Sequence, residues 1–112
     1  CPMWLFTTIG FFSIVQKNNE DFLTVRARVA SDLDRLREHY LPELSPTEPE
    51  TVDYPFKATI SREAMARGME KIIQDITYSD FQTEVVRSMG FEREHVYTEI
   101  WDVLHELEQI QH

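Results

Sequence analysis

Residues 3–17, MWLFTTIGFFSIVQK, are the most apolar run of the chain and constrain its fold more than any other stretch. Trp4, Leu5, Phe6, Thr7, Thr8 and Ile9 are branched or aromatic, side chains that suit a pleated, half-buried surface. Gly10 interrupts them, and a glycine inside a strand pattern marks a bulge, a bend or a close backbone approach. Phe11 to Val15 resume the apolar run, and the turn-forming series QKNNED closes it. One kinked strand, or two short strands broken at Gly10, is expected. The run is shorter than the roughly 20 residues a spanning helix needs. It has no basic region before it and no small-residue cleavage site after it, as a signal peptide would. A buried strand with no membrane contact is therefore expected.

Residues 22–29, FLTVRARV, alternate cleanly. Leu23, Val25, Ala27 and Val29 share one face, and Thr24, Arg26 and Arg28 share the other. Period two with one polar face predicts a strand in a sheet covered on one side, antiparallel to the opening strand because the link is short. Ser31 is an expected N-cap, with Asp32 and Asp34 complementing the helix dipole and Leu33, Leu36 and Tyr40 at helical spacing. Pro42 ends that helix. Residues 43–52 hold Pro46 and Pro49 and read as an exposed loop. Residues 54–60, YPFKATI, alternate again, with Tyr54, Phe56, Ala58 and Ile60 expected inward and Lys57 and Thr59 outward. Ser61 caps a helix whose stripe is Met65, Met69, Ile72, Ile73 and Ile76. Gly68 in its middle costs about 1 kcal/mol against alanine, either for close packing or to no purpose. Ser79-Asp80-Phe81-Gln82 reads as a capping box opening a short helix that stops at Gly90. The last helix spans 92–110. Val96, Ile100, Val103, Leu107 and Ile110 form one stripe, and Tyr97, Trp101 and Leu104 a second. A face that wide commonly meets two neighbours, so a homodimer contact is expected there.

The predicted class is α+β: a small, largely antiparallel sheet with helices on one face, a ferredoxin-like variant in the order β-β-α-β-α-α-α. A chain of 112 residues is read as one domain, with Cys1-Pro2 set aside as a remnant ahead of a plausible initiator, Met3. Beyond Cys1 there is no cysteine, hence no disulfide frame or thiolate metal site, which fits a cytoplasmic protein. The net charge of −9 disfavours a broad nucleic-acid binder. The charge is uneven, however: residues 3–29 carry three bases against two acids, and 61–112 carry five against eleven.

Catalytic signatures are scarce. No GxSxG, Walker loop, GxGxxG or HExxH occurs, and three glycines make a glycine-built phosphate cradle a poor reading. His95 with Glu99, and Asp102 with His105, could each share a helix face and ligate Zn or Fe. A di-metal bundle needs that motif twice plus further glutamates, so a solvated acidic face is preferred and neither a metal nor a cofactor is expected. Asp53-Tyr54 and Tyr78-Ser79-Asp80 place acids and hydroxyls at element ends, where capping is the plainer role. The open sheet face is the candidate site. Arg26, Arg28 and Lys57 project from it, with Trp4 and Phe6 on the first strand and Asp53, Tyr54 and Tyr78 nearby. Stacking rings beside cations suit single-stranded nucleic acid, a nucleotide, an acidic peptide or a second subunit. Ordinary snorkelling cations are the plain alternative.

The blocks MWLFT and GFFS, VRARV, DYPFK, YSDF and EHVYTEIW together resemble a family of small bacterial proteins. The resemblance is to an uncharacterised family and implies no activity, but it singles out Thr7, Gly10, Ser13, Arg26, Arg28, Asp53, Tyr54, Lys57, Tyr78, Phe81 and Glu84. This chain carries Asp80 and Gln82 where the family has Asn and Lys, which weakens any anion role for that block. The expectation is a non-enzymatic module binding an anionic ligand or a protein partner on its open sheet face. Two alternatives stand beside it: a small nucleic-acid- or nucleotide-processing enzyme using Tyr54, Tyr78, Asp53, Asp80 or His95 as acid–base groups, and an adaptor associating through its C-terminal helix.

Overall fold

The computed structural model describes residues 2–50 and 53–110. Cys1, Thr51-Val52 at the end of the expected loop, and Gln111-His112 lie outside them. The chain divides into two units, Cys1–Thr77 and Tyr78–His112.

The first unit is a sheet backed by two helices. Its opening stretch forms two strands, β1 (Met3–Thr7) and β2 (Gly10–Val15), folded back on each other as a hairpin with Trp4 opposite Ser13 and Phe6 opposite Phe11. Thr7 closes the turn. Its Oγ1 donates to the Gly10 carbonyl at 2.8 Å and accepts from the N–H groups of Ile9 and Gly10 at 3.1 and 3.0 Å. Gly10 marks a close approach rather than a bulge: a Cβ there would lie 2.7 Å from the Asp32 side chain.

β3 (Leu23–Ala27) pairs with β2, and β5 (Phe56–Ile60) pairs with β3. A two-residue strand, β4 (Glu48–Pro49), lies on the outer edge of β5. All pairings are antiparallel and the strand order is β1-β2-β3-β5-β4. The expected loop thus contains a short strand, with its proline at the sheet edge, where a missing ladder donor is tolerated. β3 ends at Ala27, before the expected Val29, which is 40% exposed and precedes the first helix.

That helix, α1 (Ala30–His39), begins after Val29 with no side-chain cap, so Ser31 is not its N-cap. Asp32 stands in the first turn of α1, as expected, and it also has partners outside the helix. It is buried, its Oδ2 accepts the Phe11 N–H at 3.1 Å, and its Oδ1 accepts from Arg35. Arg35 Nε in turn donates to the Ile9 carbonyl at 2.8 Å, so α1 holds the β1–β2 turn from both sides.

α2 (Arg62–Gln74) is capped by Ser61, whose Oγ accepts the Ala64 N–H at 3.2 Å. Met65, Met69 and Ile72 pack on the core, but Ile73 and Ile76 are exposed, correcting the stripe at its C-terminal end. Gly68 serves close packing: a Cβ would sit 1.9 Å from Leu41 Cδ2. Phe12, Ile14, Val25, Ala27, Ala58 and Ile60 from the sheet meet Leu33, Leu36, Leu41, Leu44, Ala64 and Met65 in one core.

The second unit joins α3 (Phe81–Met89) to α4 (Phe91–Leu104) and a 3-10 segment (His105–Gln109). The cap of α3 is Asp80 rather than Ser79. Its Oδ1 accepts the Gln82 N–H at 3.2 Å and its Oδ2 accepts from the Thr83 hydroxyl at 2.6 Å. The turn at Gly90, with φ +97°, needs glycine. Val85 and Tyr97 are the buried side chains, with the Phe81 ring stacked on Tyr97 at 6.0 Å. Neither expected stripe of the last helix is covered along its length: Val96, Trp101, Val103, Leu104, Leu107 and Ile110 are all more than half exposed. A nine-residue α3 spans about 14 Å against about 21 Å for α4, and it leaves these side chains uncovered. Among the described residues no helix is long and apolar enough to cross a membrane.

The class is therefore α+β, with a five-stranded antiparallel sheet and four α-helices among the described residues. The element order adds two strands to the expected one: the opening stretch contributes a hairpin and the loop contributes β4.

Candidate functional site

The pleat sends Phe12, Ile14, Val25 and Ala27 into the core, so Phe11, Ser13, Thr24 and Arg26 face the other way. The pairings bring these outward residues together. Arg26 lies opposite Ser13 on β2 and opposite Lys57 on β5. Its Nη2 donates to Ser13 Oγ at 2.8 Å.

Tyr54 corrects the sequence reading. It is 5% exposed, as a core residue would be, but it precedes β5 and is buried on the open face rather than among the helices. Its ring lies 6.5 Å from that of Phe11, with the guanidinium carbons of Arg26 and Arg28 at 4.8 and 4.4 Å from its centroid. Pro55 favours this placement, since the residue before a proline is biased to an extended conformation that carries Tyr54 across the strand end. Two cations thus share one aromatic ring. A cation–π contact is worth about 0.5–2 kcal/mol, and it positions a guanidinium without neutralising it.

Charge compensation here is slight. Arg28 Nη1 donates to the Asp53 backbone carbonyl at 2.9 Å, and Arg26 donates to a hydroxyl, so each arginine's hydrogen bond goes to a neutral acceptor. Among the described residues neither arginine has a carboxylate at ion-pair distance; Lys57, Arg62 and Lys71 share that state, whereas Lys17, Arg35, Arg37, Arg67 and Arg87 are each ion-paired. The Nε of Arg26 is buried without a hydrogen-bond partner.

Pro2, Trp4, Val15, Arg26, Arg28, Asp53 and Tyr54 line a pocket of about 380 Å³, within the 300–1,000 Å³ range of small-molecule sites. Trp4 is 60% exposed and meets Phe11 edge-to-face at 6.0 Å.

Of the residues singled out from sequence, Trp4, Arg26, Arg28, Asp53 and Tyr54 converge on this pocket. Phe6 stacks on Phe11 at 4.6 Å and is not on the wall. Lys57 lies between Arg26 and Glu48 in the ladder and does not line the pocket. Tyr78 belongs to the second unit, 6.3 Å from Phe81. Its hydroxyl pKa is raised by loss of water contact and then by the Glu84 carboxylate. Glu84 itself is held below its usual range by hydrogen bonds from Arg87. Sequence reasoning missed Val15 and the fixing of Arg26 by Ser13; the alternation of β2 was the available signal.

The histidine pairs resolve simply. His95 Nε2 meets Glu99 at 2.9 Å, and His105 pairs with Glu108 at 2.8 Å rather than with Asp102. Among the described residues no group of three or more His, Cys, Asp or Glu side chains is arranged to hold a metal ion. In comparisons with known proteins, no family model, no curated protein and no solved structure matches the chain.

Proposed function

We propose that this chain is a non-enzymatic binding module that takes an anionic ligand on its open sheet face, through Arg26 and Arg28. The observation that carries this reading is a pair of guanidiniums resting on one buried tyrosine, with no carboxylate at ion-pair distance among the described residues, in a chain of net charge −9. Acids are plentiful, so two cations without an ion-pair partner beside a pocket are best explained by an anion that comes and goes. Helices behind the sheet and a ligand in front is a plan shared with ferredoxin-like sandwiches, and the chain is read as a cytoplasmic sheet-face binder of that kind.

Titration of the ¹⁵N-labelled full chain with inorganic phosphate tests the reading. Saturable shifts at Ser13, Arg26, Arg28 and Tyr54 are expected, weakened by salt and abolished in Arg26→Ala/Arg28→Ala. No shifts, or shifts that persist in the variant, would remove it.

A second reading, association of two copies through α4 and the 3-10 segment after it, is favoured by the exposed Val96, Trp101, Val103, Leu104 and Leu107. Apolar side chains clustered on one helix commonly mark an interaction surface. The two readings use different surfaces and do not compete.

A further inference from the structure

We infer that the anion is a nucleoside monophosphate, its base against Trp4 and its phosphate on Arg26 and Arg28. This rests on the anion-binding reading above and adds the chemical class.

Trp4 argues for a ring on the ligand. A bare anion would need only the arginines, yet the pocket wall includes an indole that is 60% exposed. Its contact with Phe11 is edge-to-face, with 80° between the planes. In either sense of that contact Phe11 leaves at least one indole face uncovered. An exposed aromatic ring beside arginines is the pairing by which proteins hold a base and its phosphate.

The cations argue for a phosphate. Both line the same pocket, so both face the space one dianion would occupy. The guanidinium fork matches phosphate oxygens two at a time.

The wall and the overall charge argue for one phosphate. Asp53 lines the same pocket, and its backbone carbonyl holds Arg28. None of the three glycines lines the wall, so there is no glycine cradle for a polyphosphate. The volume of about 380 Å³ suits one nucleotide, and a net charge of −9 disfavours a polyanionic strand.

The test is a set of ¹⁵N titrations of the full chain with inorganic phosphate, ribose 5-phosphate, adenosine and AMP. AMP should bind at least tenfold more tightly than ribose 5-phosphate, the scale of one stacked base, and should shift the Trp4 indole N–H. Trp4→Ala should bring AMP down to the ribose 5-phosphate level while leaving phosphate binding unchanged, and Trp4→Phe, which keeps a stacking face, should retain part of the preference. Equal binding of AMP and ribose 5-phosphate, or a preference that survives Trp4→Ala, would overturn the inference while phosphate binding through the arginines still stood. A 5′-phosphorylated single strand that outbinds AMP would overturn the choice of a free nucleotide. Failure of every probe, phosphate included, would remove the anion reading itself.

Discussion

Replacing Asp32 with alanine should destabilise the first unit by about 3 kcal/mol. The side chain is 2% exposed and does two jobs, accepting the Phe11 N–H at 3.1 Å and pairing with Arg35. Removing one partner of a buried pair costs about 3–5 kcal/mol. The Arg35 side chain is 32% exposed and can recover water, which brings that figure to roughly 2. The orphaned Phe11 N–H adds about 1 kcal/mol. Asp32→Asn keeps the size and one acceptor oxygen but loses the charge. Charged hydrogen bonds exceed neutral ones by about 1 kcal/mol, so its cost should be about 1–2. Against a typical total of 5–15 kcal/mol, both are measurable by urea denaturation followed by circular dichroism. If both variants stayed within about 0.5 kcal/mol of wild type, the ordinary range for surface changes, the assignment of Asp32 as the clasp between α1 and the β1–β2 turn would be refuted. Equal losses would show that charge alone matters.

In the second unit, the raised pKa of Tyr78 means the folded state holds that proton more tightly than the unfolded chain. Its contribution is complete below the ordinary phenol value of about 10 and declines as pH rises past it. Thermal melts recorded as the pH is raised past about 10 should therefore fall more steeply for wild type than for Tyr78→Phe; parallel slopes would show that the hydroxyl is not linked to folding. Val103→Glu/Leu107→Glu should convert a dimeric wild type to monomer in sedimentation velocity with its helical signal intact, and a wild type that is already monomeric at high micromolar concentration would dismiss association through α4.

Much of the candidate site was legible because strand alternation is a local geometric fact. Successive side chains on a pleat point to opposite faces, so placing Val25 and Ala27 inward put Arg26 outward before any partner was known. The same rule misled at Tyr54. Alternation was extended past Pro55, but Tyr54 lies outside the ladder, where the pleat no longer dictates direction. Sequence alone also indicated Gly10 as a special backbone position and Gly90 as a helix stop.

What the tertiary structure decided were identities of partners. Glu48–Pro49 is a strand only because β5 offers an edge to pair with. An acid in the first turn of a helix is ordinarily solvated; Asp32 is buried because Gly10, 22 positions earlier in the sequence, lets the hairpin turn come against it. Which face a side chain takes is set by the backbone beside it. What meets it there depends on segments distant in the chain, and no local pattern encodes them.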